Sequence, residues 1–106
     1  MPKAGKRGRR VEWSKLDLFV RNGCIDFAKE ELSKGADINR RSGQYGYTPL
    51  LRAIFRGKID MVRLLCNRGA NVSLCDGQGR TPLYVARLLH DGNPGLLAEL
   101  EALLKD

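Results

Sequence analysis

The chain has 106 residues, with 19 lysines and arginines against 12 aspartates and glutamates, for a formal net charge of +7. This length allows one domain at most, and no apolar run reaches the ~18–20 residues that a membrane-spanning helix needs. Three cysteines at irregular spacing form neither a disulfide framework nor a metal-ligand motif, which favours an intracellular location in the cytoplasm or the nucleus.

The positive charge is concentrated at the amino terminus, where five basic residues precede the first acidic one. Such a segment buries too little apolar surface to offset its ordering entropy. Residues 1–12 are therefore predicted to form a disordered arm, and residues 13–106 a folded domain. The arm is either a solubilising tail or a nuclear-import signal or contact for anionic surfaces. Its basic residues are Lys3, Lys6, Arg7, Arg9 and Arg10.

The first predicted unit, about residues 14–47, contains two helices. Ser14 is a candidate N-cap of the first helix, because its hydroxyl can accept a free N–H of the first turn. Asp26 is the candidate N-cap of the second helix, and Gly35 is placed to end that helix in the left-handed conformation. The apolar residues expected to face inward are Leu16, Phe19, Val20, Phe27, Ala28 and Leu32.

The second predicted unit, about residues 48–80, has the clearest helix signals. Thr48 can cap the first helix, and Pro49 suits its first helical position because the φ angle is already set. Asp60 is predicted to cap the second helix, which Gly69 ends. The predicted buried residues are Leu50, Ala53, Ile54, Met61, Val62, Leu65 and Cys66.

The third unit, about residues 81–106, begins with the same signals at Thr81-Pro82. A long turn follows over residues 88–94, and the last helix is predicted over 96–105. We interpret this helix as a carboxyl-terminal cap of the fold, with Glu99 and Glu101 turned toward water.

These units repeat at a fixed period. Thr48-Pro49-Leu50 recurs 33 residues later as Thr81-Pro82-Leu83, and Gly35-Ala36-Asp37 is matched 34 residues later by Gly69-Ala70-Asn71. Repetition of this length indicates stacked helical units. The pattern resembles the ankyrin repeat over about residues 14–106. The resemblance implies an all-α solenoid of about three stacked helix pairs with short β-hairpin fingers over residues 40–47 and 74–80.

The resemblance also implies where a partner binds, because ankyrin proteins use the finger tips and the concave face of the first helix of each pair. The positions that match are Gln44, Tyr45, Tyr47, Phe55 and Arg56, with Gln78 and Arg80 one unit later. Tyrosine, phenylalanine and arginine are enriched among residues that dominate binding energy. The alternative is that Tyr45 and Tyr47 only pack the finger onto the next helix.

Positive charge is also expected along this concave face. The basic residues there are Arg40, Arg41, Arg52, Arg56 and Arg80. They either form a solvated face or attract an acidic segment of a partner protein. The histidine of the ankyrin Thr-Pro-Leu-His motif is absent, since Leu51 and Tyr84 replace it. Apolar packing is therefore expected to set the geometry between repeats.

Glu31 departs from the repeat pattern, because Leu65 occupies the matching place one unit later. Three interpretations remain open at this point. The first unit has an open outer face, or Glu31 pairs with Arg52 or Arg63 in the interior, or a partner covers this end.

No residue pattern predicts catalysis. The single histidine, His90, falls in a turn, and no serine or cysteine is paired locally with a base. We expect a small non-enzymatic adaptor, scaffold or inhibitor, without cofactor or metal, that binds another protein as a monomer. One alternative is a nuclear or nucleic-acid-associated protein that uses the basic arm and the groove arginines. Another is a chain whose exposed end stacks on further repeats or on its own copies.

Overall fold

The computed structural model describes residues 12–105, so the predicted arm and its five basic residues lie outside the described part, apart from Glu12. The fold class is all-α, as predicted. Extended pairing within residues 12–105 is limited to one antiparallel bridge, between Ser42 and Tyr47. The helices are α1 (Lys15–Asn22), α2 (Ile25–Ser33), α3 (Pro49–Phe55), α4 (Ile59–Asn67), α5 (Pro82–His90) and α6 (Pro94–Leu104).

The six helices form three antiparallel pairs arranged in two layers. Helices α1, α3 and α5 pack side by side in the inner layer, and α2, α4 and α6 pack side by side in the outer layer. Each pair therefore contacts only its neighbours along the stack, as in a solenoid. This arrangement confirms the predicted stack of helix pairs.

The inner helices begin as the sequence predicts. Ser14 accepts a hydrogen bond from the Asp17 N–H at 3.2 Å, and the Asp17 carboxylate accepts one from the Ser14 N–H at 2.9 Å. This reciprocal pair is a capping box. Thr48 and Thr81 cap α3 and α5 through their hydroxyls, each followed by a proline in the first helical turn.

The predicted caps of the outer helices, Asp26 and Asp60, are wrong. Helices α2 and α4 begin two residues earlier than these caps would place them, and both aspartates lie in the first turn, where a carboxylate still stabilises the positive end of the helix. The N-cap residues are Cys24 and Lys58, whose side chains make no capping bond. The cause is local, because the left-handed Gly57 (φ +66°) turns the chain directly into α4.

The last helix also begins earlier than predicted, at Pro94 rather than at residue 96, and it ends at Leu104. Asn93 caps it by accepting the Leu96 N–H at 3.2 Å, so the Asn-Pro pair is a start signal like Thr-Pro in α3. The turn between α5 and α6 is correspondingly shorter, since α5 continues to His90.

The core lies between the two layers. It is centred on α3 and α4, as predicted, although Cys66 is only half-buried. Phe27 contradicts the prediction, because it is 57% exposed. Phe27 corresponds to the buried Met61 of the next unit, but no helix pair of the described chain covers it. Its ring stacks on that of Phe19, with 5.2 Å between the two centroids. The buried apolar residues are Leu16, Val20, Ala28, Leu50, Leu51, Ala53, Ile54, Met61, Val62, Leu65, Val85, Ala86, Leu100 and Leu104.

Glu31 lies half-buried on the same open end and forms an ion pair with Lys34 at 3.4 Å. The proposed interior partners are engaged elsewhere, because Arg52 pairs with Asp17 and Arg63 pairs with Asp60 and Glu99. Of the three interpretations, the structure therefore contradicts the interior ion pair with Arg52 or Arg63.

The two glutamates of the last helix are not simply turned to water. Glu99 pairs with Arg63 at 3.5 Å, and Glu101 pairs with Arg87 at 2.9 Å. Both ion pairs are partly exposed, and they join α6 to its neighbours α4 and α5 at the surface.

Candidate functional site

The two loops that join the helix pairs project from one side of the stack, and we call them finger 1 (residues 40–47) and finger 2 (residues 74–80). In finger 1, Ser42 and Tyr47 exchange backbone hydrogen bonds of 3.0 and 3.2 Å. Finger 2 has no such bridge among the described residues, so the predicted hairpin is absent there. It is held instead by the Asp76 N–H, which donates to the Arg80 carbonyl at 3.0 Å.

Backbone hydrogen bonding ties the two fingers together. The Gly77 N–H donates to the Tyr45 carbonyl at 2.9 Å. The Arg41 guanidinium adds a second link, donating through Nη2 to the Cys75 carbonyl at 2.9 Å. A Cβ atom at residue 77 would lie only 2.8 Å from the Tyr45 carbonyl oxygen, so glycine is required for this close approach.

Asp76 organises the tip of finger 2. Its buried carboxylate accepts hydrogen bonds from the Gln78 N–H at 2.9 Å, the Arg80 N–H at 3.0 Å and the Arg80 Nε at 2.8 Å. Burial alone would raise the pKa of Asp76, but these bonds and the Arg80 charge together lower it. The carboxylate therefore stays ionised and fixes the Arg80 side chain in one orientation.

Three aromatic rings form a row from finger 1 to the end of α3. The Tyr45 and Tyr47 ring centroids are 5.8 Å apart, and those of Tyr47 and Phe55 are 4.6 Å apart. Tyr45 is 54% exposed, whereas Tyr47 and Phe55 are half-buried. The row thus combines a fixed base with an exposed end.

An open cleft of about 380 Å³ lies at the α3 end of this row, and we call it the Trp13 cleft. The Arg52 guanidinium carbon lies 3.6 Å from the centroid of the Trp13 ring and 5.5 Å from that of Tyr47. Both distances are within cation–π range, so Arg52 links Trp13, which precedes α1, to Tyr47 of finger 1. The cleft is lined by Trp13, Arg21, Tyr47, Arg52, Phe55 and Arg56.

Arg52 is a structural residue as well as part of the cleft. Its Nη2 donates to the Ser42 carbonyl and hydroxyl, both at 2.9 Å, and Ser42 Oγ donates to the Asp17 carboxylate at 2.8 Å. The Arg52 side chain is 8% exposed, and this burial lowers the pKa of its guanidinium against the opposing charge of Asp17. Arg52 therefore joins α1, α3 and finger 1.

A comparison with protein-family models identifies the fold. The model for ankyrin repeats in three copies matches residues 16–100. The chain belongs to the ankyrin-repeat family. Ankyrin repeats are in general protein–protein interaction modules, and the resemblance inferred from the repeated Thr-Pro-Leu motif is confirmed.

Similar proteins include the 2-5A-dependent ribonuclease of Mus musculus, which is 36% identical over 86 residues, covering 80% of this chain and 12% of that protein. The human palmitoyltransferase ZDHHC13 is 39% identical over 65 residues, covering 61% of this chain and 10% of that protein. The ankyrin repeat-containing protein P1E11.10 of Schizosaccharomyces pombe is 32% identical over 72 residues, covering 68% of this chain and 34% of that protein. The chain spans about a tenth of the length of the first two, so the similarity concerns their ankyrin repeats.

The ankyrin stack brings the predicted site residues onto one surface. Tyr47 lies at the junction of two depressions, with Phe55 and Arg56 on the Trp13 cleft. A smaller depression of about 110 Å³ lies between the fingers. It is lined by Gln44, Tyr45, Tyr47, Asp76, Gly77, Gln78 and Arg80.

Trp13 and Arg21 were not among the predicted site residues, although the offset of 34 residues between the first two units matches them to Tyr47 and Phe55. A second signal was that Trp13 is the only tryptophan of the chain and adjoins the capping Ser14. Among the predicted groove arginines, Arg41, Arg52 and Arg80 make internal bonds, whereas Arg56 is exposed.

The residues that replace the ankyrin motif histidine behave differently. Leu51 is fully buried and supplies the predicted apolar packing between repeats. Tyr84 is 53% exposed, because no further repeat follows α5 in the described chain. Within residues 12–105, no helix has the length and apolar character to cross a membrane, and this part contains no cluster of three potential metal-ligating side chains.

Proposed function

We propose that this chain is a non-catalytic adaptor, scaffold or inhibitor that binds a partner protein through its fingers and the concave face of its inner helices. The observation that carries the proposal is the continuous row of Tyr45, Tyr47 and Phe55, which connects the depression between the fingers to the Trp13 cleft. Its proposed partner-binding residues are Gln44, Tyr45, Tyr47, Phe55, Arg56, Gln78 and Arg80.

The rigidity of this surface supports the proposal. The fingers are joined by the bond from Gly77 to Tyr45, and Arg80 is held by Asp76, so few side chains lose freedom on binding. Preorganisation of this kind increases affinity because the entropy loss is smaller. Tyr47 and Phe55 would act as apolar anchors, and Arg56 and Arg80 would supply polar specificity.

The alternative, phosphate binding by the groove arginines, has less support. Arg41, Arg52 and Arg80 donate to acceptors within the chain, and Arg40 lies 3.9 Å from the Asp17 carboxylate. These internal contacts reduce the number of free cations that could neutralise phosphates. The proposed location is the cytoplasm or the nucleus, because the three cysteines are free thiols.

Affinity capture from cell lysate with identification by mass spectrometry tests the proposal. The variant Tyr45→Ser/Arg56→Gln/Gln78→Ala changes three exposed residues of the surface, and Lys29→Ala/Glu30→Ala/Arg68→Ala changes three exposed residues of the outer layer. We expect a partner to be retained by the wild type and the outer-layer variant and lost by the surface variant, with circular dichroism confirming that all three chains fold. Equal retention by all three chains would refute the assignment of this surface.

A further inference from the structure

We propose that the Trp13 cleft receives one large apolar side chain from an acidic segment of the partner protein, with carboxylates beside that side chain paired to Arg21 and Arg56. This inference rests on the proposed function, since it names the chemistry of the partner. It also extends the binding surface to Trp13 and Arg21, which precede the first finger.

The walls of the cleft favour an apolar group. Trp13, Tyr47 and Phe55 present three aromatic rings, and Trp13 is 39% exposed. The cleft volume of about 380 Å³ is at the small end of the range for ligand sites, which suits one large side chain rather than a whole folded element.

The floor of the cleft does not offer a strong anion site. The Arg52 guanidinium carbon lies 3.6 Å from the Trp13 ring centroid, and its Nη2 already donates twice to Ser42. Its charge is opposed by Asp17, whose carboxylate oxygen lies 3.6 Å from Nε. An apolar side chain can therefore occupy the floor without meeting an unpaired charge.

The rim of the cleft carries the charge that selects the partner. Arg21 and Arg56 are exposed, and neither takes part in an ion pair within residues 12–105. Within residues 12–105, no carboxylate lines the cleft. A concave surface with charges of one sign concentrates its field and attracts groups of opposite sign. Carboxylates of the partner are the matching groups, because each would meet an arginine at the edge of the apolar site.

An acidic protein segment fits these observations better than two other occupants. Nucleic acid needs a track of cations that follows its phosphates, whereas this cleft has two rim arginines beside aromatic walls. The chain's own amino-terminal arm carries five positive charges and no negative ones before residue 12, so its charge has the same sign as that of the rim.

Trp13 allows a direct test, because its emission reports the cleft without interference from a second tryptophan. A phage-displayed library of random heptapeptides is selected on the immobilised wild-type chain. The selected peptides are synthesised without tryptophan, and their affinities are measured from Trp13 fluorescence. Three double variants are compared with the wild type: Arg21→Gln/Arg56→Gln at the rim, Lys29→Gln/Arg68→Gln as the charge-matched control, and Tyr45→Ala/Gln78→Ala at the finger tips.

We expect selection of peptides in which aspartate or glutamate flanks one phenylalanine or leucine. The rim variant should bind them about fivefold more weakly, as the loss of two exposed ion pairs predicts, while the control variant should bind within twofold of the wild type. Replacing the acidic residues of a selected peptide by their amides should produce a similar loss in the wild type and almost none in the rim variant.

Other outcomes separate this inference from the proposed function. Peptides without acidic residues, or with equal affinity for the rim variant, overturn the inference. If their binding is lost in the finger-tip variant, the proposed function stands. Failure to select any peptide counts against both the inference and the proposed function. A single-stranded dT12 oligonucleotide that displaces the selected peptides and binds more tightly than they do would identify a nucleic-acid site and would also overturn the inference.

Discussion

Asp17 and Arg52 face each other inside the stack, with 3.6 Å between Oδ1 and Nε, and so connect the inner helices of two successive repeats. Both atoms are buried, and neither makes a hydrogen bond in the described chain. The pair is held from the side by Ser42, which bonds to both residues. A buried charge that loses its partner is strongly unfavourable, so this contact makes the packing of the first repeat depend on the second.

The substitution Arg52→Met keeps much of the side-chain volume but removes the buried countercharge of Asp17, which then has only the partly exposed Arg40 at 3.9 Å. We expect it to lower the free energy of unfolding by about 3–5 kcal/mol, measured by urea denaturation. Arg68→Met, at an exposed position, should change it by less than ~0.5 kcal/mol. In a double-mutant cycle with Asp17→Ala, the two losses should be far from additive. Simple additivity would show that the ion pair does not couple the two residues.

Acid should destabilise finger 2 through Asp76. The pKa of this carboxyl is lowered in the folded chain from its ordinary value of 3.8, so its contribution to stability is fully present above that pH and is lost as the pH falls through the folded value. Asp76→Asn should therefore lower the free energy of unfolding by about 2 kcal/mol at pH 7, and the difference from the wild type should shrink below pH 3.8.

Thermal melts at pH 7 and pH 3 measure this effect. The exposed Asp91→Asn provides a matched control, expected to shift stability by less than ~0.5 kcal/mol. A constant difference between Asp76→Asn and the wild type at the two pH values would contradict the prediction.

The close approach of the fingers predicts a different response from two neighbouring glycines. Gly77→Ala would place a methyl group 2.8 Å from the Tyr45 carbonyl oxygen and so break the hydrogen bond between the fingers. Gly79→Ala meets no atom within 4 Å, but its φ of +81° strains any L residue. We expect both changes to reduce stability by about 1–2 kcal/mol. Only Gly77→Ala should speed hydrogen exchange at residue 77 and alter the chemical shifts of Tyr45.

Leu65 tests the position of the core. It is fully buried in α4, so Leu65→Ala should lower the free energy of unfolding by about 2–5 kcal/mol. Leu88 is 53% exposed, and Leu88→Ala should cost less than about 1 kcal/mol. Urea denaturation of both variants makes the comparison, and equal effects would place the core elsewhere.

The sequence predicts features that depend on local chemistry and on the repeat period. Thr48 and Pro49 start a helix by properties of their own side chains, and the left-handed Gly35 (φ +97°) ends one for the same reason. Burial of Met61 and Leu65 follows from helical spacing within a complete repeat. Phe27 occupies the place that matches Met61, but burial depends on the neighbouring pair, which spacing alone does not reveal.

The candidate site is less predictable because its main contacts join distant parts of the chain. The finger residues follow from the repeat, but the stacking of Trp13 on Arg52 depends on how the segment before α1 meets α3. The repeat places Arg52 on the groove. It gives no indication that Asp17 neutralises the charge of Arg52 or that Ser42 accepts its hydrogen bond. Internal pairing of this kind decides which arginines stay free for a partner, and it appears only in three dimensions.

The bond from Gly77 to Tyr45 involves only main-chain atoms, so the spacing of the two fingers does not depend on which side chains their tips display. The exposed tip residues Tyr45 and Gln78 can then be exchanged for others while the frame that holds them keeps its shape. A chain built in this way can acquire a new partner through changes at its tips without first finding a new fold. For protein engineering, the same separation makes these two positions natural sites for a randomised library, with residue 77 kept as glycine.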